Sequence, residues 1–205
     1  AQEQLLDFQG KGLSVLEMSH RSREFEEIVF SAEELLLKLY GLSTEHQVLF
    51  LQGGASLQFA MVPINLLPTG STADYILTGS FAQKAFQEAK RIGKVQVAAT
   101  TQNKQYRFIP AQEEIELSAS PAYVHITTNN TIFGTQWKYI PDTGGAPLIA
   151  DMSSDILSQK IDLGRFSLAY AGAQKNLGPA GVTVVILKRS LLERIPEDIP
   201  AILSY

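Results

Sequence analysis

Lys175 is the residue whose surroundings best suit covalent chemistry. It lies in Leu-Ala-Tyr-Ala-Gly-Ala-Gln-Lys-Asn-Leu-Gly-Pro-Ala-Gly, residues 168–181. A short apolar run ends in small residues and presents one amine. A Gly-Pro-Ala-Gly turn follows, then a second apolar run from Val182 to Leu187. A lysine beside a turn is ordinarily a solvated surface group, because lysine is almost never fully buried unless paired. The sharper reading is a Schiff-base lysine at the end of a buried strand, the anchor of an aldehyde. A free lysine amine titrates at about 10.4, so such a group must be depressed or held as an imine. A cationic partner and a desolvated pocket both push that way.

The elements that must position it read as follows. Ser22 is a plausible N-cap. Phe25, Ile28, Val29, Ala32, Leu35, Leu36, Leu39 and Tyr40 then recur at helical spacing up to Gly41, which predicts one amphipathic helix. Ser14 to Met18 reads as extended. Val48 to Leu51 is a strand, and Gln52-Gly53-Gly54-Ala55-Ser56 leads into a helix over 57–67 that Pro63 should bend. Further strands are expected at 74–78, 94–100, 123–128, 147–150 (ending on Asp151), 168–174 and 183–189. Ser80 is expected to cap a helix carrying Phe81, Ala85, Phe86, Ala89 and Ile92. Residues 102–120 are polar and read as a connection with a short helix. Strands alternating with helices predict an α/β fold with a mainly parallel, mixed sheet of about seven strands. The Gly-Pro-Ala-Gly return is too short for a helical crossover, so the last two strands should be antiparallel neighbours or lie in line.

In open α/β sheets, ligands sit beyond the carboxyl ends of the strands. Those ends carry Gly53 to Ser56, Ser80 and Phe81, Asn130 and Thr131, Asp151, and Gln174 with Lys175. The glycine turn before a helix suits a phosphate, through free backbone N–H groups and the helix dipole. It is neither a Walker A loop nor a dinucleotide fingerprint, and taken alone such a turn is more often only a turn. Phe81 offers an aromatic face, Asp151 a carboxylate and Lys175 an amine. Pyridoxal phosphate asks for all of these: a phosphate cradle, a stacking ring, an acid that keeps its pyridine nitrogen protonated, and an amine for its aldehyde. His20 and Arg21, just before the first long helix, are either a solvated helix start or contacts to an anionic ligand.

Composition narrows the alternatives. Seventeen basic and twenty-one acidic residues give a net charge of −4 with no basic stripe, which argues against a nucleic-acid partner. The chain has no cysteine, so disulfides, thiolate metal sites and cysteine nucleophiles are excluded, and no metal site is expected. No apolar run reaches the roughly 18 residues that a membrane span needs. No leader is visible, and a cytoplasmic protein is expected.

Six motifs resemble the phosphoserine aminotransferase family: Ser-His-Arg-Ser at 19–22, Leu-Gln-Gly-Gly-Ala-Ser at 51–56, Thr-Ala-Asp-Tyr at 72–75, Thr-Asn-Asn-Thr-Ile at 128–132, Ala-Asp-Met-Ser-Ser at 150–154 and the segment 170–181. The resemblance runs in order along essentially the whole chain. It implies a three-layer, fold-type I large domain. It implies amino-group transfer from glutamate to 3-phosphohydroxypyruvate, giving 3-phosphoserine and 2-oxoglutarate on the route to serine. It matches Lys175 to the Schiff-base lysine, Asp151 to the pyridinium partner, and Gly54, Ala55 and Ser56 to the phosphate loop. Phe81 matches the stacking ring, with Thr131 and Gln174 as further cofactor contacts. Arg21 and His20 match substrate-binding positions.

Two positions depart from the pattern. Phe81 stands where many members have tryptophan, and Ser56 where some have a phosphate-binding arginine. The family's chains are longer, so residues 1–205 are expected to be the cofactor-binding large domain without the N-terminal arm and the C-terminal small domain. The resemblance implies a homodimer, because members lend cofactor contacts across subunits, and an isolated piece of this length is expected to be impaired. The rival readings are another fold-type I pyridoxal enzyme and a non-catalytic α/β domain that binds a phosphorylated ligand.

Overall fold

A computed structural model describes residues 2–205. The chain forms two compact units, residues 1–41 and 42–205.

The first unit holds two helices, α1 (Gln2–Leu6) and α2 (Arg23–Tyr40), with a single 3₁₀ turn at Val15–Glu17 between them. That turn replaces the extended segment expected at 14–18. Ser14 starts it with a capping box: its hydroxyl accepts from the Leu16 N–H, and the Glu17 carboxylate accepts from the Ser14 N–H at 2.8 Å. Reciprocal capping of this kind outweighs the β preference of one valine. α2 begins and ends as its sequence predicts. The Ser22 hydroxyl accepts from the Phe25 N–H, and Gly41 closes the helix in the left-handed region at φ 62°. Its apolar stripe buries Leu36 and leaves Leu35 and Leu39 exposed, and Phe30, which lies off the stripe, is exposed too.

The second unit is built on a sheet of seven strands. They are β1 (His46–Leu51), β2 (Thr72–Leu77), β3 (Lys94–Thr100), β4 (Val124–Thr127), β7 (Leu148–Asp151), β8 (Leu168–Gly172) and β9 (Thr183–Lys188). A two-stranded hairpin, β5 (Asn129–Asn130) and β6 (Thr135–Gln136), stands apart from it. The order across the sheet is β1-β9-β8-β7-β4-β2-β3. All pairs from β8 to β3 are parallel. The β8–β9 and β9–β1 pairs are antiparallel. The short turn at 173–182 dictates the first antiparallel pair, as expected. β1 then joins the far edge, a non-local pairing that its own sequence could not declare.

Helices α3 (Gly54–Leu66) and α4 (Ser80–Ile92) cover one face of the sheet. Phe59, Val62 and Leu66 pack with Tyr75, Tyr123, Ile149, Tyr170 and Val185 in one core cluster. Burial of this apolar face is the main force holding the layers together. Pro63 lies inside α3, where the Leu67 N–H still reaches its carbonyl at 3.1 Å. Among the described residues no helix is long and apolar enough to cross a membrane, and no cluster of three His, Asp or Glu side chains could hold a metal.

The core under the strand ends is unusually polar and uncharged. Tyr75 and Tyr123 share a hydrogen bond at 2.8 Å, and His125 Nε2 meets the Tyr170 hydroxyl at 2.9 Å. His125 stacks on Tyr75 with ring centroids 4.9 Å apart. Burial depresses the His125 imidazole to about 3 from an ordinary value of 6.5. Between those values the unfolded chain takes up a proton that the folded chain refuses, so stability falls as pH drops through that window. In urea melts, His125→Asn should lose less stability than the parent chain between about pH 6.5 and about pH 4. Identical pH dependence in the two proteins would remove His125 from this account.

Candidate active site

Three parallel strands deliver their carboxyl ends side by side. The register places Thr127 of β4 opposite Asp151 of β7, and Asp151 opposite Tyr170 of β8. Ile149, two residues before Asp151, belongs to the helix-covered core. Strand alternation therefore turns Asp151 towards the same face, just beyond the core. The helices α3 and α4 start at this rim.

A cleft of about 210 Å³ opens there. It is lined by Gly54, Ala55, Ser56, Phe81, Asp151, Gln174 and Lys175, so seven of the residues singled out from sequence meet in one place. The Lys175 amine lies 5.9 Å from the centroid of the Phe81 ring. Phe59, Thr127, Asn129, Ser153 and Ser154 complete the lining. Sequence reasoning did not assign these five. Ser153 and Ser154 lie two and three residues after Asp151, and that closeness in sequence was the one available signal. Thr127 and Asn129 enter through cross-strand register, and Phe59 through the first turns of α3. Thr131 is exposed in the hairpin turn outside the lining. His20 and Arg21 are exposed just ahead of α2, in the first unit.

The glycine turn leaves backbone N–H groups without partners. Gly53 and Gly54 both have positive φ, 89° and 65°. A β-carbon on Gly53 would come within 2.4 Å of the Leu57 side chain, whereas one on Gly54 would meet nothing within 4 Å. The first requirement is internal packing. The second leaves open space against the backbone of Gly54, which lines the cleft. Gly53 caps α3 without any side-chain acceptor, so the first N–H groups of this thirteen-residue helix are left for a ligand.

Asp151 is 4% exposed. Burial pushes its carboxyl above the ordinary carboxylate value. Hydrogen bonds from Ser153 oppose this, the nearby Asp155 adds to it, and Lys175 opposes it. The Ser153 N–H donates to Asp151 Oδ1 at 3.0 Å, while the Ser153 hydroxyl accepts from the Gly172 N–H at 3.1 Å. One serine thus ties the carboxylate to the strand leading to Lys175. Lys175 and Gln174 are themselves exposed, so residues 42–205 leave the amine on the open side of the cleft rather than in the desolvated setting expected of it.

The α4 start differs from expectation in one detail. Gly79, not Ser80, is the N-cap, and its carbonyl accepts from the Gln83 N–H at 3.0 Å. Gly79 is extended, and a β-carbon there would sit 2.5 Å from Asn130 Oδ1. Asn130 is 2% exposed and donates to the hydroxyls of Thr78 and Thr135 at 3.1 and 3.2 Å. Behind the hairpin, Asp155 accepts from the Thr128 hydroxyl at 2.5 Å and from Gln136 at 3.2 Å. These bonds fix β5–β6 to the strand ends.

The residues fit pyridoxal phosphate on three structural counts: an uncapped helix start with open backbone, a buried carboxyl short of a countercharge, and an amine beside an aromatic face. The buried Thr127 hydroxyl in the lining has no hydrogen-bond partner either, which suits a polar ligand.

A mixed α/β layer with an uncapped helix start and a lysine in one cleft with a buried acid defines a class, and comparison with known proteins identifies it: the chain belongs to the class-V aminotransferase family, whose profile matches residues 1–199. It is similar to the phosphoserine aminotransferase of Lysinibacillus sphaericus, 58% identical over all 205 residues and 57% of that protein. The solved phosphoserine aminotransferase of Bacillus circulans subsp. alkalophilus superimposes with a TM-score of 0.97 at 52% identity, over the whole of this chain and 57% of that one. A PLP-bound phosphoserine aminotransferase from Trichomonas vaginalis is 35% identical with a TM-score of 0.91, over the whole of this chain and 58% of that one. The chain thus spans somewhat over half the length of the relatives it matches. The sheet is the fold-type I arrangement that the sequence led one to expect.

Gly79→Ala should push Asn130 aside and break its two hydroxyl contacts. The expected cost is about 1–2 kcal/mol, read by thermal melting, with faster amide exchange confined to residues 129–136. Unchanged exchange in the hairpin would contradict this coupling.

Proposed function

We propose that this chain is the cofactor-holding part of a pyridoxal-phosphate-dependent aminotransferase that moves an amino group from glutamate to 3-phosphohydroxypyruvate, giving 3-phosphoserine and 2-oxoglutarate. The observation that carries this reading is the meeting of Lys175, Asp151, Phe81 and the α3 start in one cleft. The long identity with phosphoserine aminotransferases supports the choice of substrates.

When bound, pyridoxal phosphate supplies an electron sink that acidifies the proton on the amino-bearing carbon. The chain's own residues do the rest. The N–H groups at Gly54, Ala55 and Ser56 would hold the phosphate, with Gln174 and Thr131 as further contacts. Phe81 would orient the ring by its face. Asp151 would keep a proton on the pyridine nitrogen; that positive charge would in turn favour the ionised carboxylate against the desolvation that now disfavours it. Lys175 would hold the aldehyde carbon covalently. Once displaced by the incoming amine, its Nζ would take the α-proton as general base and give it back as general acid. His20 and Arg21 are proposed for the anionic groups of the substrate. A cytoplasmic homodimer belongs to the same proposal, and sedimentation velocity tests its assembly.

Lys175→Ala in the intact enzyme should abolish transamination and leave no borohydride-reducible yellow adduct. A persisting adduct would sink the assignment.

Asp151→Asn separates stability from function. Because the folded carboxyl is raised above its unfolded value of 3.8, its ionisation costs stability as pH rises through that interval. Without cofactor at neutral pH the asparagine variant should therefore melt no lower than the parent. It should also lose most of the melting-temperature rise that pyridoxal phosphate gives the parent. An undiminished rise would take Asp151 out of the site.

A further inference from the structure

Tyr170 on β8 and His125 on β4 are not neighbours in the sheet, because β7 runs between their strands. Their side chains meet all the same: the Tyr170 hydroxyl and His125 Nε2 lie 2.9 Å apart. Register fixes where that bond passes. Tyr170 stands opposite Asp151, and His125 stands opposite Ile149. The bond therefore crosses β7 diagonally, between the two side chains that β7 turns to the helix-covered face. It lies on the core side of Asp151, as a strap beneath the carboxyl group.

Both ends of the strap are held. Tyr170 is 0% exposed and His125 1%. The Phe59 ring, which lines the cofactor cleft, meets Tyr170 edge-on with centroids 6.3 Å apart. His125 stacks on Tyr75 of β2, and the Tyr75 hydroxyl bonds that of Tyr123. The contacts run from β8 over β7 and β4 to β2, just below the rim that carries Asp151.

The bond returns little to folding. His125 Nδ1 has no hydrogen-bond partner. With a neutral ring, either tautomer leaves one buried donor unmatched among the described residues: the Nδ1 proton, or the phenolic proton when Nε2 donates. An unmatched buried donor costs about as much as one good hydrogen bond gives. Such a pair calls for an account other than stability.

We propose that the Tyr170–His125 bond is a positioning device for Asp151: it keeps the carboxyl group from sinking towards the core and holds it at the height where the cofactor's pyridine nitrogen must meet it. The inference rests on the function proposed above and deepens it. Ser153 restrains the carboxyl from the loop side, through its N–H on Oδ1. The strap restrains it from below. A group whose placement within about 1 Å governs a reaction needs restraint from both sides.

The test uses the intact enzyme carrying this chain. Tyr170→Phe keeps the ring and removes the bond. It should raise the dissociation constant for pyridoxal phosphate about three- to tenfold, the range that one net hydrogen bond spans. It should lower kcat by a similar factor, with KM for glutamate within about twofold. The melting temperature without cofactor should stay within about 4 °C of the parent. The decisive arm is a double-mutant cycle with Asp151→Asn. In that background Tyr170→Phe should change pyridoxal phosphate binding less than about twofold, because no charge is left to place. His125→Asn breaks the same bond from the other strand and should show the same coupling, even where Tyr170→Phe folds poorly. Equal losses with and without the acid, or no loss in either variant, overturn the positioning role and leave the proposed function standing. Failure of both variants to fold assigns the bond to stability and overturns the role as well. An Asp151→Asn enzyme that binds the cofactor as tightly as the parent takes the acid itself out of the site, and this inference with it.

Discussion

A carboxyl group buried at the end of a parallel strand is the constraint around which this molecule is arranged. Removing a charge from water costs several kcal/mol even in a relaxed protein, and Asp151 has no cation in hydrogen-bond contact to offset that. Ser153 bonds it and Thr127 and Tyr170 stand in register beside it, all three neutral; of the charged groups nearby, Asp155 adds to the cost and Lys175 offsets part of it. The surroundings tolerate the carboxyl without satisfying it. A group left in this state is poised for a cationic ligand, since the ligand's charge recovers what desolvation costs.

Rigidity follows from how the same region is tied together. Ser153 bridges Asp151 to the end of β8 and so to the lysine segment. Asp155 grips Thr128 and Gln136, while Asn129 donates to Ser154 at 2.8 Å. Asn130 locks the hairpin to Thr78, one residue before the α4 cap. Loop residues held by buried hydrogen bonds on both sides can keep a small cleft open without collapsing into it. The open cleft is thus a consequence of the satisfied polar network around it.

Much of the fold was legible locally. The seven expected strands match β1, β2, β3, β4, β7, β8 and β9 one for one, and α2 starts and stops at the serine and glycine that its periodicity named. What escaped was short or non-local. A two-residue strand such as β5 has no period to detect. The cap of α4 is Gly79, where Asn130, fifty-one positions later, occupies the space of a β-carbon. The 3₁₀ turn at 15–17 followed a capping box rather than the residues it encloses.

The chain's letters alone determined which groups exist for chemistry and which end of each strand carries them. A lysine before a Gly-Pro turn, an acid ending an apolar run and two glycines before a helix are local facts of spacing. Only the tertiary structure decided that these groups share one cleft, that Thr127, Ser153 and Phe59 join them, and that Tyr170 meets His125 across β7. The reason is physical. Strand order and cross-strand register are set by burying one common apolar face, and that sum over the whole sheet is written in no single segment.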